Sequence, residues 1–321
     1  MKVFYSPRYE VALPGHIWPT SKYRLIAERL GFAGPQRPTP QAPGLAGIAG
    51  PERPALAQGD LRLVEPTEAS WDDLALVHTG EYLEKLRTYT LTPEDVATLE
   101  LPWQPALADA FRLMVGGSCG AAAAALADGR AAHLGGGLHH AFANHGEGFC
   151  PLNDVAVALR VLQRDRGLRR AAIVDCDVHH GNGTALIFER DPDVFTFSIH
   201  QQRNYPYFKP RGDLDIGLED EAGDEQYLKA LAGALPRVFA SRPEIVVYLA
   251  GADPFEGDQL GGLKLTKAGL SARDRLVLDT AHAAGVPVVT VLAGGYAGDI
   301  EDTVAIHTST IMAMMTRGAA S

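Results

Sequence analysis

The sequence has few cysteines and no excess of positive charge. Only three of its 321 residues are cysteine, an odd number, and we interpret Cys119, Cys150 and Cys176 as reduced thiols of a cytoplasmic protein. The formal net charge is −10, and an acidic surface argues against direct binding to nucleic acid. The same charge is compatible with basic partners.

Long apolar runs and internal repeats are also lacking. No run approaches the roughly 18 apolar residues of a membrane span, and residues 1–6 lack the apolar core of a signal peptide. We therefore expect no membrane contact and a cytoplasmic location. We predict a single domain over residues 1–321, interrupted by a loop at 34–58 that is rich in proline, glycine and alanine. That loop is either disordered or ordered near a site or a subunit contact.

From residue 131 onward, short apolar runs alternate with helical patterns. This alternation predicts a three-layer α/β/α fold with a mostly parallel central sheet. The predicted strands of this part are residues 131–134, 171–174, 194–199, 245–250 and 288–293, and the predicted helices are residues 154–166, 184–188, 224–240, 267–284 and 299–316. Near the start of the chain, a helix is predicted from Ser21 to Leu30, with Lys22 on its exposed face.

Polar or glycine-rich segments directly follow four of the predicted strands. Open α/β sheets bind ligands just beyond the carboxyl ends of their strands, so we expect these segments to meet at one edge of the sheet. The side chains that they would bring together are, in chain order, His139, His140, Asp177, His179, Asp253 and Tyr296.

The spacing around one of these strand ends favours a metal site. Asp175, Asp177 and His179 lie two residues apart, so they would face the same side of an extended chain. Carboxylate oxygen and imidazole nitrogen are good zinc ligands, and buried charges without a partner are costly. An Asp-x-His triplet by itself is more often an ordinary strand followed by a polar loop, but the other three clusters favour the metal.

Five segments resemble the motifs of the metal-dependent histone deacetylase superfamily. They are residues 136–141, 148–154, 175–184, 251–253 and 294–296. The resemblance extends from the first strand to about Met312. It implies the arginase/deacetylase fold and hydrolysis of an acyl group from a lysine side chain or a similar amine. Shorter segments, among them 204–206 and 253–258, are similar to the bacterial group related to class IV histone deacetylases.

The resemblance also implies a role for each residue of the site. Asp177, His179 and Asp253 are similar to the ligands of one Zn²⁺ per chain, with an open position for water. His139 and His140 resemble the acid/base pair, supported by Asp175 and Asn182 respectively. Tyr296 resembles the donor to the developing oxyanion.

Two further sites follow from the same resemblance. Gly148, Phe149 and Tyr205 are similar to the walls of a narrow tunnel for the acyl-lysine side chain. A structural K⁺ or Na⁺ is implied as well. The positions that would surround it are Asp175, Asp177, His179, Ser198 and Ile199.

Three alternative functions are weighed against a zinc-dependent lysine deacylase. An arginase-like enzyme with two manganese ions would need a further carboxylate, but Gly181 stands two residues after His179, where it is expected. The loss of a metal ligand or of the tyrosine would favour a non-catalytic acyl-lysine reader. The candidate ligands and Tyr296 are all present. An acetylpolyamine amidohydrolase shares the same chemistry, so a small acylated amine stays open as substrate. The sequence also leaves the oligomeric state open.

Overall fold

Eight parallel strands form one sheet in the part of the chain that the structure describes. The structure is a computed structural model that describes residues 1–32 and 61–315, so the predicted loop at 34–58 lies outside the described residues. The strand order is β2-β1-β3-β8-β7-β4-β5-β6, and every neighbouring pair is parallel. The strands are β1 (Lys2–Phe4), β2 (Arg62–Val64), β3 (Arg130–His133), β4 (Ala171–Asp175), β5 (Val194–Gln201), β6 (Leu214–Leu218), β7 (Ile245–Leu249) and β8 (Val288–Val291).

Helices cover both faces of this sheet. The α-helices of the described residues are α1 (Lys22–Arg29), α2 (Trp71–Leu74), α3 (Gly80–Thr88), α4 (Pro93–Leu99), α5 (Pro105–Asp128), α6 (Asp154–Arg166), α7 (Asn182–Phe188), α8 (Asp224–Ala240), α9 (Lys267–Ala283) and α10 (Ile300–Met315). The predicted three-layer α/β/α architecture with a parallel sheet is confirmed.

The central strands alternate their side chains between two cores. In β7, Ile245, Val247 and Leu249 pack with α5 and α6, whereas Val246 and Tyr248 pack with α8, α9 and α10. All five side chains are buried. Burial on both faces explains why these strands read as continuous apolar runs in the sequence.

The edge strand β6 was not predicted from the sequence. It contains Asp215 and Gly217, two residue types that are depleted in strands. Its side chains alternate between exposed and partly buried, because β6 pairs only with β5 within the described residues. An edge strand of this kind lacks the apolar run by which the buried strands were recognised.

The start of α6 holds the loop that follows β3. Asn153 caps the helix by accepting from the Ala156 N–H at 3.0 Å, and its amide donates to the Ala141 carbonyl at 3.1 Å. The buried Asp154 carboxylate accepts from the backbone N–H groups of Gly137 at 3.0 Å and Leu138 at 2.7 Å. The loop that carries His139 and His140 is therefore fixed by backbone hydrogen bonds.

A buried ion pair on α9 supports the loops after β4 and β7. Arg273 is fully buried and donates to the carbonyls of Cys176 at 3.3 Å and Gly251 at 2.5 Å. It pairs with Asp274 at 2.8 Å, and Asp274 also accepts from the Tyr248 hydroxyl at 2.5 Å. One guanidinium group thus ties the ends of two strands to one helix.

Helix α5 is long and apolar enough, by length and composition, to cross a membrane. In this fold, 61% of its most apolar stretch is buried inside the protein. Its alanine-rich second half packs against α6 and the sheet, with Ala121 and Ala125 fully buried. That burial is typical of a core helix.

We expect Arg273→Met to lower the free energy of unfolding by about 3–5 kcal/mol, because it leaves the Asp274 carboxylate buried without its cation. Chemical denaturation measures the change. Arg275→Met, at an exposed position of the same helix, is the matched control and should change stability by about 0.5 kcal/mol or less. Equal effects of the two substitutions would contradict a supporting role for the buried pair.

Candidate active site

The four strands whose ends carry the predicted site residues are neighbours in the sheet, in the order β3-β8-β7-β4. Their carboxyl ends open into a cavity of about 200 Å³. Among the residues that line it are His139, His140, Gly148, Phe149, Asp177, His179, Tyr205 and Tyr296. The structure therefore brings together side chains that lie up to about 160 positions apart in the sequence.

Asp177, His179 and Asp253 form a buried group beside this cavity. Each offers one ligand atom, and the three atoms lie within 4.8 Å of one another. His179 Nδ1 lies 3.1 Å from Asp177 Oδ1 and 3.5 Å from Asp253 Oδ2. Two carboxylate oxygens and one imidazole nitrogen make a donor set that zinc prefers, with a position left open for water or substrate.

The polar atoms of this group support the fit to a metal ion. Asp177 Oδ2 accepts from the Gly294 N–H at 2.8 Å, and Asp253 Oδ1 accepts from the Val178 N–H at 2.9 Å. Asp253 Oδ2 is buried without a hydrogen-bond partner among the described residues. A buried acceptor in that state costs about 1–3 kcal/mol or more. A divalent cation held jointly with Asp177 and His179 would remove this cost.

Two glycines leave the space that the site requires. A Cβ atom at Gly294 would lie 1.9 Å from Asp253 Oδ2, so only glycine lets the backbone approach the carboxylates this closely. A Cβ atom at Gly181 would lie 2.6 Å from Asp175 Oδ2. A side chain at position 181 would therefore have to displace the Asp175 carboxylate, and Gly181 itself offers no ligand for a second metal.

Burial and charge set the protonation of the three candidate ligands. Burial alone lowers the pKa of His179, but the carboxylates of Asp177 and Asp253 outweigh it and raise that pKa to about 10. Burial and the charge of Asp177 both raise the pKa of the Asp253 carboxyl. Burial also acts to raise the pKa of Asp177, but the cationic His139 and His179 bring it well below its ordinary value. Without a metal, bound protons on His179 and Asp253 partly compensate the negative charge of the two carboxylates.

The two adjacent histidines have different partners. His139 Nδ1 lies 2.7 Å from Asp175 Oδ2, whereas His140 Nδ1 lies 2.7 Å from Asn182 Oδ1. Their Nε2 atoms are 3.1 Å apart, at the cavity. Burial lowers the pKa of His139, but the charges of Asp175 and Asp177 raise it to about 9. Burial and the charge of His139 hold the pKa of His140 well below its ordinary value. One imidazole is thus a cationic donor and the other a neutral acceptor.

Tyr296 lies on the other side of the cavity. Its backbone N–H donates to Asp258 Oδ2 at 2.6 Å, and Asp258 Oδ1 also accepts from the backbone of Leu260 at 2.8 Å. Burial and the charges of Asp177 and Asp253 raise the pKa of the Tyr296 hydroxyl well above its ordinary value. The hydroxyl therefore keeps its proton and can donate it in a hydrogen bond.

Phe149 and Tyr205 provide two aromatic walls. The Phe149 ring lies 6.1 Å from the Tyr296 ring, and the Tyr205 ring lies 4.9 Å from the His140 ring. Gly148 and Phe149 both have left-handed backbone angles, with φ of 51° and 67°. This conformation is uncommon for phenylalanine and turns its ring towards the cavity.

The candidate positions for a monovalent ion lie behind this site. Asp175 on β4 pairs with Ser198 on β5, and Ile199 follows Ser198. Asp175 and Ser198 line a cavity of about 10 Å³, roughly enough for one water molecule or small ion. A K⁺ or Na⁺ ion at this place stays a prediction.

The prediction for Lys22 was wrong, because this side chain is fully buried rather than exposed. Its ammonium donates to the Ala293 carbonyl at 3.0 Å and lies 5.4 Å from the centre of the Tyr296 ring. Burial lowers its pKa to about 8. Helical periodicity could not predict this burial, because Ala293, which accepts from Lys22, lies in a loop more than 250 residues away in the chain. Glu147, which contacts Tyr205 and Asn182, was also missed.

We expect Asp253→Asn to abolish stoichiometric metal binding, because a neutral amide replaces one of two carboxylate ligands. Elemental analysis after dialysis against zinc measures the metal content per chain. Asp72→Asn makes the same chemical change at an exposed aspartate of α2 and is the matched control. Retention of zinc by Asp253→Asn, or its loss by both variants, would contradict the assignment.

Zinc affinity should depend on pH with a definite sign. His179 carries a proton below its pKa of about 10, and a metal bound at Nδ1 must displace that proton. Release of this proton weakens the apparent affinity about 10-fold for each pH unit lowered, and below its raised pKa of about 7 the Asp253 carboxyl steepens the loss. Competition titrations with a chelator between pH 8 and pH 6 measure this slope. A pH-independent affinity would show that His179 is not a ligand.

Comparisons with known proteins agree with this geometry. Residues 51–311 match the family model described as "Histone deacetylase domain". The chain is 41% identical to an uncharacterized protein of Picosynechococcus sp., with 95% of both chains covered. It is 33% identical to "Histone deacetylase 2" of Arabidopsis thaliana, over 73% of this chain and 63% of that protein.

A solved structure, "Crystal Structure of HDA15 HD domain", superposes with a TM-score of 0.75 and 25% sequence identity. The alignment covers 100% of this chain and 92% of the other. The likeness to the class IV group stays a prediction. The chain belongs to the histone deacetylase family and is a deacetylase or amidohydrolase of that family.

Proposed function

We propose that the chain is a zinc-dependent amidohydrolase that removes an acyl group from N-acyl-lysine side chains in proteins or peptides. The observation that carries the proposal is the arrangement around one cavity. A buried Asp-His-Asp group, one cationic and one neutral imidazole, and a protonated tyrosine all face the same space. Amide hydrolysis requires an electrophile, a base, an acid and an oxyanion donor, and each has a candidate here.

The residues of the chain divide these tasks. Zinc held by Asp177, His179 and Asp253 would polarise the amide carbonyl and make a bound water more acidic. His140, neutral and with Nε2 at the cavity, accepts a proton from the attacking water. The carbon–oxygen bond forms, the carbon–nitrogen bond breaks, and His140 passes the proton to the leaving amine nitrogen. The cationic His139 stabilises the negative charge that develops beside it.

The aromatic walls support an acyl-lysine as the substrate. Phe149 and Tyr205 both line the cavity and present apolar ring surfaces on the way to the site. An acyl-lysine has an unbranched aliphatic stem of four methylene groups, which such surfaces can contact along its length. A narrow passage of this kind also excludes water from the reacting amide.

An acetylpolyamine is the second candidate substrate. Glu100 lines the cavity and Glu147 borders it through Tyr205. Two carboxylates near the entrance would attract the free ammonium groups of a polyamine, and the net charge of −10 acts in the same direction.

A substrate panel tests the proposal. The purified chain, loaded with zinc, is assayed on an acetyl-lysine peptide, a long-chain acyl-lysine peptide and acetylspermidine, with and without a chelator. We expect chelator-sensitive release of the free lysine. Turnover of acetylspermidine alone would favour the second candidate. Binding of an acyl-lysine peptide without turnover by zinc-loaded protein would favour a reader and contradict the proposal.

Tyr296→Phe should lower kcat by about 10²–10³, because it removes one donor to the oxyanion and keeps the ring. Metal content and KM should change little. Tyr207→Phe makes the same chemical change at a fully exposed tyrosine and is the matched control. Near wild-type turnover by Tyr296→Phe would show that another group stabilises the oxyanion.

A further inference from the structure

Glu147 stands at a junction between the walls of the cavity and the candidate base. Its backbone pairs with Cys150 through hydrogen bonds of 3.2 and 2.9 Å, which close the turn that presents Gly148 and Phe149. Its carboxylate Oε1 accepts from the Tyr205 hydroxyl at 2.8 Å and from Asn182 Nδ2 at 3.0 Å. Glu147 is therefore joined to one wall through its backbone, and its partly buried side chain contacts the other wall and the partner of His140.

We propose that Glu147 is a positioning residue that orients the Asn182 amide and thereby helps to fix His140 as the Nδ1–H tautomer, whose Nε2 keeps its lone pair. The inference rests on the proposed function, because it assigns Glu147 a part in preparing the base for amide hydrolysis. The pair of His140 and Asn182 contains no carboxylate, and Glu147 supplies one through its hydrogen bond to Asn182.

The argument begins with what a carboxylate can do. An ionised carboxylate only accepts hydrogen bonds, so the side of Asn182 that faces Glu147 is the NH₂ group. The amide oxygen must then face His140 Nδ1, at 2.7 Å, and can only accept from it. His140 consequently carries its proton on Nδ1. Its Nε2 keeps the lone pair that a base requires, on the side of the cavity.

Glu147 stays ionised in this environment. Burial acts to raise its pKa, but the side chains of His145, Tyr205 and Asn182 around the carboxylate outweigh burial and lower it. His145 Nε2 lies 3.7 Å from Oε2, on the other oxygen of the carboxylate. Without a fixed acceptor at Glu147, the Asn182 amide could rotate by half a turn and present NH₂ to His140. His140 Nδ1 would then lose its acceptor, and the Nε2–H tautomer would become more populated despite the His139 Nε2 atom at 3.1 Å.

The same oxygen couples the substrate passage to the base. Tyr205 hydrogen-bonds to Glu147 Oε1 and packs its ring 4.9 Å from the ring of His140. The Tyr205 hydroxyl and Asn182 Nδ2 both donate to Glu147 Oε1. A displacement of Tyr205 that shifts this oxygen would therefore also disturb its hydrogen bond to Asn182.

An exchange of charge between positions 147 and 182 tests the proposal. Asn182→Asp alone would set a second carboxylate about 3.0 Å from Glu147, and we expect kcat to fall about 10-fold or more. Adding Glu147→Gln supplies an amide that can donate to the new carboxylate, which in turn accepts from His140 Nδ1. The double variant should therefore recover about 10-fold in kcat over Asn182→Asp. A double variant no more active than Asn182→Asp would overturn the proposal.

Glu100→Gln is the matched control for the loss of one carboxylate at the cavity. Within the described residues, the side chain of Glu100 makes no hydrogen bond to Asn182. Combined with Asn182→Asp, it should give no recovery. Recovery by Glu100→Gln would mean that reduced negative charge in general, rather than the contact with Asn182, restores activity.

A second readout does not require turnover. Long-range proton–nitrogen NMR spectra of the zinc-loaded protein, labelled at histidine, report which nitrogen of His140 carries the proton. We expect the Nδ1–H tautomer in the wild type and in Glu100→Gln, and a mixture of tautomers in Glu147→Gln. Unchanged spectra in Glu147→Gln would overturn the positioning role, whatever the substrate. A chain that hydrolyses no acyl amide but shows the expected spectra would refute the proposed function alone.

Discussion

The burial of charged groups at the carboxyl ends of β4 and β7 is the constraint on which the rest of the site depends. Asp177, His179 and Asp253 are removed from water, and an uncompensated charge in such a place is very costly. The backbone N–H groups of Val178 and Gly294 compensate part of this charge by donating to the carboxylates of Asp253 and Asp177. Asp253 Oδ2, which has no hydrogen-bond partner among the described residues, belongs to the group of three candidate ligand residues.

The need to compensate these buried charges explains two features of the structure around the site, a glycine at position 294 and a buried arginine at position 273. Gly294 has to be glycine because a side chain would occupy the space of the carboxylates. Arg273 binds the carbonyls at the ends of the two strands from beneath and is itself neutralised by Asp274. The buried Arg273 and the candidate metal ligands are therefore held by the same two loops, which follow β4 and β7.

The two histidines illustrate how neighbours give identical side chains different properties. Asp175 supplies a charge to His139, and this outweighs burial. Asn182 supplies only a dipole to His140, so burial and nearby cations lower its pKa. Glu147 lies one hydrogen bond further out and holds that dipole in place. The difference in pKa between the two imidazoles is thus a property of the surroundings rather than of the residue type.

The sequence by itself determined the layers of the fold and which strand ends carry the candidate site residues. Buried parallel strands produce continuous apolar runs, and polar segments that follow such strands meet at one edge of the sheet, so Asp177 and His179 could be placed there with the other clusters. Only the tertiary structure decided that Lys22 is buried beside Tyr296 and that Glu147 joins Tyr205 to Asn182. Those contacts join segments distant in the chain, and local periodicity carries no information about them because it records only which face of one element is apolar.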